Sequence, residues 1–199
     1  MVKLRSIISA FRPKTLSASL VPCLAGTSLC WFEGFNPSWS VFLYALLSAM
    51  SIQVGTNLVN DAMDFKKGAD TEDRIGPSRI TQQGILTYKQ VLTLAGFFFF
   101  LAVLLGLPLV LLGGWVIVAV GVFSILMGYA YTSGPYPLAY VGLGDLFVIF
   151  FFGIVAVMGI HYLHWGEDYP GILLPPLILG LQVGFLSTVL IAINNLRDI

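Results

Sequence analysis

The chain has 199 residues, 57% of them hydrophobic and 10% charged, with a mean hydropathy of +0.89. Soluble domains carry about 25% charged residues, so this composition excludes a water-soluble globule. Ten basic and ten acidic side chains cancel to zero net charge, which leaves no electrostatic basis for a nucleic-acid partner. The expected class is an all-α polytopic membrane protein with the lipid bilayer as its solvent.

Six spans are predicted, near Leu16–Phe32, Trp39–Val59, Val91–Leu107, Trp115–Tyr131, Tyr140–Tyr162 and Gly171–Ile193. Each is about long enough for a hydrocarbon core of roughly 30 Å. The N-terminus lacks the short apolar core and small-residue cleavage site of a signal peptide, so the first apolar segment is read as a retained span. Pro13 suits the opening of that helix, and Pro22 is expected to kink it. Cys23 and Cys30 are seven positions apart on it. The helical rise separates them by about 10 Å, too far for a disulfide, so they are read as small packing residues.

The second span ends in the most informative stretch, Asn57-Leu58-Val59-Asn60-Asp61-Ala62-Met63-Asp64-Phe65-Lys66. Asn57, Asn60, Asp61 and Asp64 fall at i, i+3, i+4 and i+7 and share one helix face. Amides and carboxylates are costly at the mouth of a membrane helix and mark a polar cavity that does chemistry. Oxygen-only donors suit Mg²⁺, and Mg²⁺ suits a diphosphate. Asn57, Asp61 and Asp64 are the candidate metal ligands, with Asp61 and Asp64 also catalytic.

The following loop, residues 60–90, is the expected active-site loop. Between Asp61 and Arg79 lie Asp61, Asp64, Asp70, Glu72 and Asp73, and also Lys66, Lys67, Arg74 and Arg79, so half the chain's acids sit beside four of its ten basic residues. A solvated charge run has this look too. Clustered at a membrane surface, the carboxylates suit a metal, while Lys66, Lys67, Arg74 and Arg79 suit phosphate oxygens. Asn60 is a further candidate for substrate binding.

In the third span Gly96 and Gly106 are expected to allow close helix contact, and Phe97 to Phe100 to face lipid or pack. Trp39, Trp115 and Trp165 sit at span ends as an aromatic belt requires. Asp145 is either a helix cap or a cavity residue. His161 and His164, three apart at the far end of the fifth span, could ligate a metal, but they lie a membrane away from the aspartate stripe and are read as interfacial packing. The sixth span closes on Asn194-Asn195-Leu196-Arg197-Asp198, where Asn194 and Asp198 repeat the Asn57–Asp61 spacing. The two stripes are read as halves of one metal site, with Asn194 and Asp198 as ligands and Asp198 as catalytic. Arg12 is either a contact for an acceptor carboxylate or a positively charged anchor.

All ten Lys and Arg fall on one side of this six-span arrangement, while the opposite loops hold Glu33, Glu167 and Asp168. The positive-inside rule then puts the N-terminus and the 60–90 loop in the cytoplasm.

The stretch Asn57-x-x-Asn60-Asp61-x-x-Asp64 with Asp70 resembles the first aspartate-rich motif of the UbiA superfamily of membrane prenyltransferases. Arg12-Pro13-Lys14-Thr15-Leu16 resembles that family's start, and Asn194-Asn195-x-Arg197-Asp198 the opening of its second aspartate motif. Gly76-Pro77-Ser78-Arg79-x-Thr81-Gln82-Gln83-Gly84 and the run from Tyr131 to Asp145 resemble the branch that prenylates 1,4-dihydroxy-2-naphthoate in menaquinone synthesis. The resemblance implies a single transmembrane prenyltransferase domain over residues 1–199, in a bacterial inner membrane. It implies a polyprenyl diphosphate ionised with the help of Mg²⁺, attack by the aromatic acid, loss of its carboxylate, and demethylmenaquinone as product. Tyr131, in the region of a family Tyr-x-x-x-Lys element, is a substrate-binding candidate. That element's Lys is missing here, which argues against the hydroxybenzoate branch. The family has nine membrane helices, so six imply a C-terminally truncated chain in which the second motif is cut short. Residues 1–199 alone are then expected to bind Mg²⁺ weakly and to be inactive. The rival readings are prenyl transfer to another aromatic acceptor, a cation-coupled transporter, and a structural membrane subunit. Transport needs no dense Asp/Lys/Arg loop, and a structural subunit needs no polar stripe.

Overall fold

The computed structural model describes residues 2–68, 79–134, 137–138, 142–171 and 173–197. Arg74 and Asp198 lie outside the described residues, as do Asp70, Glu72 and Asp73. The described residues form helices and connecting turns, with no strand among them. They are α1 (Val2–Ala10), α2 (Ser17–Phe32), α3 (Trp39–Lys67), α4 (Tyr88–Ala130), α5 (Gly144–Trp165) and α6 (Leu174–Arg197). Five segments are long and apolar enough to cross a membrane: Arg5–Phe32 and the whole of α3, α4 and α5, with Leu174–Ile193 of α6.

The helix ends follow local chemistry. Pro13 opens the 3-10 turn that leads into α2, and α2 continues through Pro22. Gly68 ends α3 with φ 68°, a left-handed closure that glycine adopts without a Cβ clash. Thr87 and Gln90 start α4 with a reciprocal capping box.

Helix α4 holds 43 residues, about 65 Å at the helical rise and twice a bilayer core. It makes two passes. Gly114 breaks it with φ 57° and ψ −144°, a backbone open only to glycine. On residues 88–113, a Cβ at Gly55 of α3 would meet Phe99 at 2.7 Å, and Ser48 donates to the carbonyl of Ala102 at 2.9 Å. Val41, Leu109 and Ile117 then share one apolar cluster at the turn, and Gly128 packs back on Thr56 and Ile52. The limb 88–113 therefore runs down α3 and residues 115–130 run back up it. Five apolar helices give six passes, as the sequence predicts.

Close helix approach is carried by glycines other than the two expected. A Cβ on Gly96, on an open face of α4, would meet nothing, and one on half-buried Gly106 would make only ordinary contact with Ser48 at 3.8 Å. The tight crossing joins α5 to α6. There a Cβ on Gly153 would strike the carbonyl oxygen of Gly180 and the Cα of Gly184, the latter at 2.7 Å. Small residues let backbones meet where lipid offers no hydrophobic drive between helices. At the same place α5 widens into π-helical turns over Ile149–Val155. Trp39 and Trp115 are exposed at the far end of the bundle, as an interfacial belt requires. In the Phe97–Phe100 run, Phe97 and Phe100 are exposed while Phe98 stacks edge-on against Phe11 and Phe99 packs on Gly55.

Gly153→Ala should force α5 and α6 apart and cost about 1–3 kcal/mol, the usual penalty of overpacking. Thermal unfolding in detergent reads this as a lowered midpoint, with Gly96→Ala as a control that stays near wild type.

Candidate active site

The four stripe residues occupy the last turns of α3. Asn57, Asn60, Asp61 and Asp64 are all buried, and so are Leu58, Val59 and Ala62 between them. The stretch from Asn57 to Ala62 is thus enclosed by protein, and its polar groups need protein partners. They find them in three separate segments.

Asp61, 2% exposed, is the most engaged. One carboxylate oxygen accepts from the backbone N–H of Ile80 at 3.1 Å. The other accepts from the N–H of Thr81 at 3.1 Å and also from the Thr81 hydroxyl. This carboxylate therefore anchors the turn at residues 79–84. Ile80, 1% exposed, is pulled by the same turn into an apolar cluster with Leu58, Val59 and Ala62. The turn delivers Arg79, whose Nη2 lies 2.6 Å from Asp64 Oδ2, a buried ion pair with side chains 7% and 12% exposed.

Asn60 accepts a hydrogen bond from the Thr132 hydroxyl at 2.5 Å, and Lys67 donates to the Thr132 carbonyl at 2.8 Å. Both tie α3 to the turn after α4. Asn57 donates to the carbonyl of Phe11 at 3.1 Å and to Thr15 Oγ1 at 3.4 Å. One turn earlier Gln53 donates to the Thr15 carbonyl at 2.6 Å and accepts from Ser19. Between those two anchors sits Arg12, at φ 52° and ψ 62°. A left-handed conformation costs a non-glycine residue about 1–2 kcal/mol, and the Asn57 and Gln53 bonds on either side hold it there.

Tyr131 closes the site from α4. Burial and then the Asp145 carboxylate push its hydroxyl pKa up; Asp64 adds to this and Arg12 opposes it. The group is therefore a neutral hydroxyl at physiological pH. Asp145 stands in the first turn of α5, where a helix N-terminus favours negative charge.

The structure thus brings together Asn57, Asn60, Asp61, Asp64, Lys67, Arg79, Arg12 and Tyr131. Lys66, exposed, lies over the Tyr88 ring with Nζ 5.8 Å from its centroid. Asn194 lies in the last turn of α6, a helix that runs past the start of α5 toward the same end of the bundle. Sequence reasoning assigned no role to Thr81, Thr132, Thr15 or Gln53. Thr81 and Thr132 stand inside the two stretches Gly76–Gly84 and Tyr131–Asp145. Gln53 is a buried amide one turn before Asn57 on the same face, a signal that the i−4 spacing offers.

The donor set also bears on a metal. All candidate ligands are oxygens, as Mg²⁺ requires. Asp64 offers its carboxylate, and Asn57 uses only its amide nitrogen in the hydrogen bonds described above. Asp61 is committed to three donors, so its first task is to hold the turn.

Asp61→Ala would strand two buried N–H groups, each costing about 1–3 kcal/mol. It should destabilise the protein more than Thr81→Val, which removes one hydroxyl and leaves both backbone bonds. Denaturant unfolding in detergent orders the two variants; equal losses would show that the backbone bonds carry no weight.

A family model described as the UbiA prenyltransferase family matches residues 19–199. The chain is 39% identical over 207 aligned positions to the 1,4-dihydroxy-2-naphthoate octaprenyltransferase of Escherichia coli, covering 96% of this chain and 63% of that protein. It is 37% identical to the enzyme of the same name from Mycobacterium tuberculosis, covering 96% of this chain and 64% of that one. The UbiA prenyltransferase domain-containing protein 1 of Xenopus tropicalis is 27% identical, covering 98% of this chain and 56% of the relative. The chain therefore spans less than two thirds of the length of these relatives. It belongs to the UbiA prenyltransferase family and is an integral membrane protein.

Proposed function

We propose that this UbiA-family chain carries the prenyl diphosphate site, and contacts for the acceptor, of an enzyme that prenylates 1,4-dihydroxy-2-naphthoate. The observation that supports it best is the buried Asp64–Arg79 pair at the polar end of an apolar bundle. A carboxylate paired with a guanidinium is preorganised for exchange. When a diphosphate arrives, its oxygens compete for the guanidinium in bidentate geometry and free the carboxylate. Asp64, with Asn57 and Asp61 as further oxygen donors, would hold Mg²⁺, which supplies positive charge against the leaving diphosphate.

The chain's own residues do the rest. Arg79 and Lys67 grip phosphate oxygens, with Lys66 and Arg74 nearby in sequence as further cations. Asn60 keeps Thr132 and the Lys67 anchor in register. Arg12, fixed in its left-handed turn, is the cation for the acceptor carboxylate, and the Tyr131 hydroxyl donates to the same substrate. Apolar helix walls exclude water from the allylic cation once diphosphate leaves. The aromatic ring forms its carbon–carbon bond at that cation and then releases carbon dioxide, whose bonding electrons return to the ring, giving the quinol form of demethylmenaquinone. Asn194 and Asp198 are proposed as the opposing metal half-site. The activity named for the relatives in Escherichia coli and Mycobacterium tuberculosis, and the Gly76–Gly84 and Tyr131–Asp145 stretches, support the naphthoate over 4-hydroxybenzoate. A bacterial inner membrane with the site on its cytoplasmic face agrees with the basic residues at that end.

The test is diphosphate release by membranes containing the natural gene product, offered each aromatic acid in turn. Release is expected with 1,4-dihydroxy-2-naphthoate and Mg²⁺; release with 4-hydroxybenzoate alone would overturn the acceptor. Arg79→Ala should raise the KM for prenyl diphosphate by about 10–100-fold, the worth of a charge-assisted bond, and leave that for the acceptor near wild type. An effect confined to the acceptor would move Arg79 to the other subsite. Asp64→Asn should abolish turnover while the protein remains folded.

A further inference from the structure

A second cluster lies at the opposite end of the bundle, a membrane's width from the aspartate stripe. Cys30 and Glu33 are three residues apart at the end of α2, on one helix face. His161 of α5 packs against both. Its Nε2 is 2.7 Å from Glu33 Oε2, and its backbone carbonyl accepts from the Cys30 thiol at 3.6 Å. One ligand atom from each residue, a sulfur, a carboxylate oxygen and an imidazole nitrogen, lies within 4.8 Å of the other two. Cys30 and His161 are wholly buried, and the Glu33 side chain is 16% exposed. The Nδ1 of His161 is buried with no hydrogen-bond partner. Tyr169 and Trp165 pack their rings around the imidazole, with centroids 5.9 and 6.4 Å away.

From this geometry we infer that Cys30, Glu33 and His161 form a binding site for a borderline-soft divalent cation of the zinc type. Sulfur, imidazole and carboxylate together are the donor set of zinc and poorly suit Mg²⁺, which takes oxygen. A thiolate and a carboxylate neutralise the ion's two charges, which matters in a water-poor place. On binding, the Cys30 thiol gives its proton to solvent and a sulfur–metal bond replaces the weak S–H donation to the His161 carbonyl. The Glu33–His161 contact opens to admit the ion, whose remaining position is left for water. The ion would staple α2 to α5. This site is independent of the proposed prenyl transfer, since it shares no residue with it.

The test uses the natural gene product purified in detergent and stripped with a chelator. Zinc is added in a metal buffer and bound metal is counted after gel filtration. Cobalt(II) is substituted in parallel and its thiolate charge-transfer absorption recorded. One zinc per chain and a thiolate band are expected, together with a raised unfolding midpoint. Cys30→Ser should remove the band, and Glu33→Gln should weaken zinc binding by at least about tenfold. Asp64→Asn should leave both unchanged. No saturable zinc on the folded wild type, no thiolate band, or binding unaltered in Cys30→Ser and Glu33→Gln would overturn the site. Loss in Asp64→Asn would move the ion to the aspartate stripe.

Discussion

The Asp61 carboxylate holds this end of the molecule together. It takes three donors from Ile80 and Thr81, and so binds the turn at residues 79–84 to the end of α3. Without that bond the buried N–H groups would need water, Ile80 would leave its apolar cluster, and Arg79 would have no fixed position beside Asp64. An acid buried in an apolar bundle is costly unless its acceptor capacity is filled. Here filling it is also what places the cation. One interaction thus links the cost of the stripe to the order of the site.

The same logic repeats along α3. Asn57 and Gln53 satisfy the carbonyls of the segment before α2 and hold Arg12 in its left-handed turn; Asn60 and Lys67 satisfy Thr132 beyond α4. A single polar face therefore gathers three segments that are far apart in sequence. The amides bind backbone and hydroxyl groups, which fixes geometry, while the charged pair at Asp64 and Arg79 is left as the exchangeable element. Rigid support around one labile contact is what a site for a multiply charged substrate needs.

Much of this was legible in the sequence. The i, i+3, i+4, i+7 spacing put the stripe on one face, and the apolar runs fixed six passes, including the pair that share α4. The fold-back at Gly114 falls in the gap between the predicted spans Val91–Leu107 and Trp115–Tyr131. The Asp64–Arg79 pairing was not legible, because the two are fifteen positions apart and no periodicity relates them. Asp61 was read as a ligand by its chemistry, yet its first partner is backbone, and backbone donors leave no mark in composition. Close packing at Gly96 and Gly106 failed for a related reason: both glycines lie on α4, but helix crossings depend on which face meets a neighbour. The grouping of Cys30 and Glu33 with His161 is not legible in the sequence, because they lie on two helices far apart in the chain that no periodicity relates.

The central claim is that Asp64 and Arg79 act as one exchangeable unit. A double-mutant cycle of Asp64→Asn and Arg79→Gln, read as affinity for a prenyl diphosphate in the presence of Mg²⁺, tests it most directly. The account requires strong non-additivity, with a coupling of about 1–3 kcal/mol, as for contacting residues that share a ligand. Losses that add to within about 0.5 kcal/mol would mean the two residues bind independently, and would contradict it.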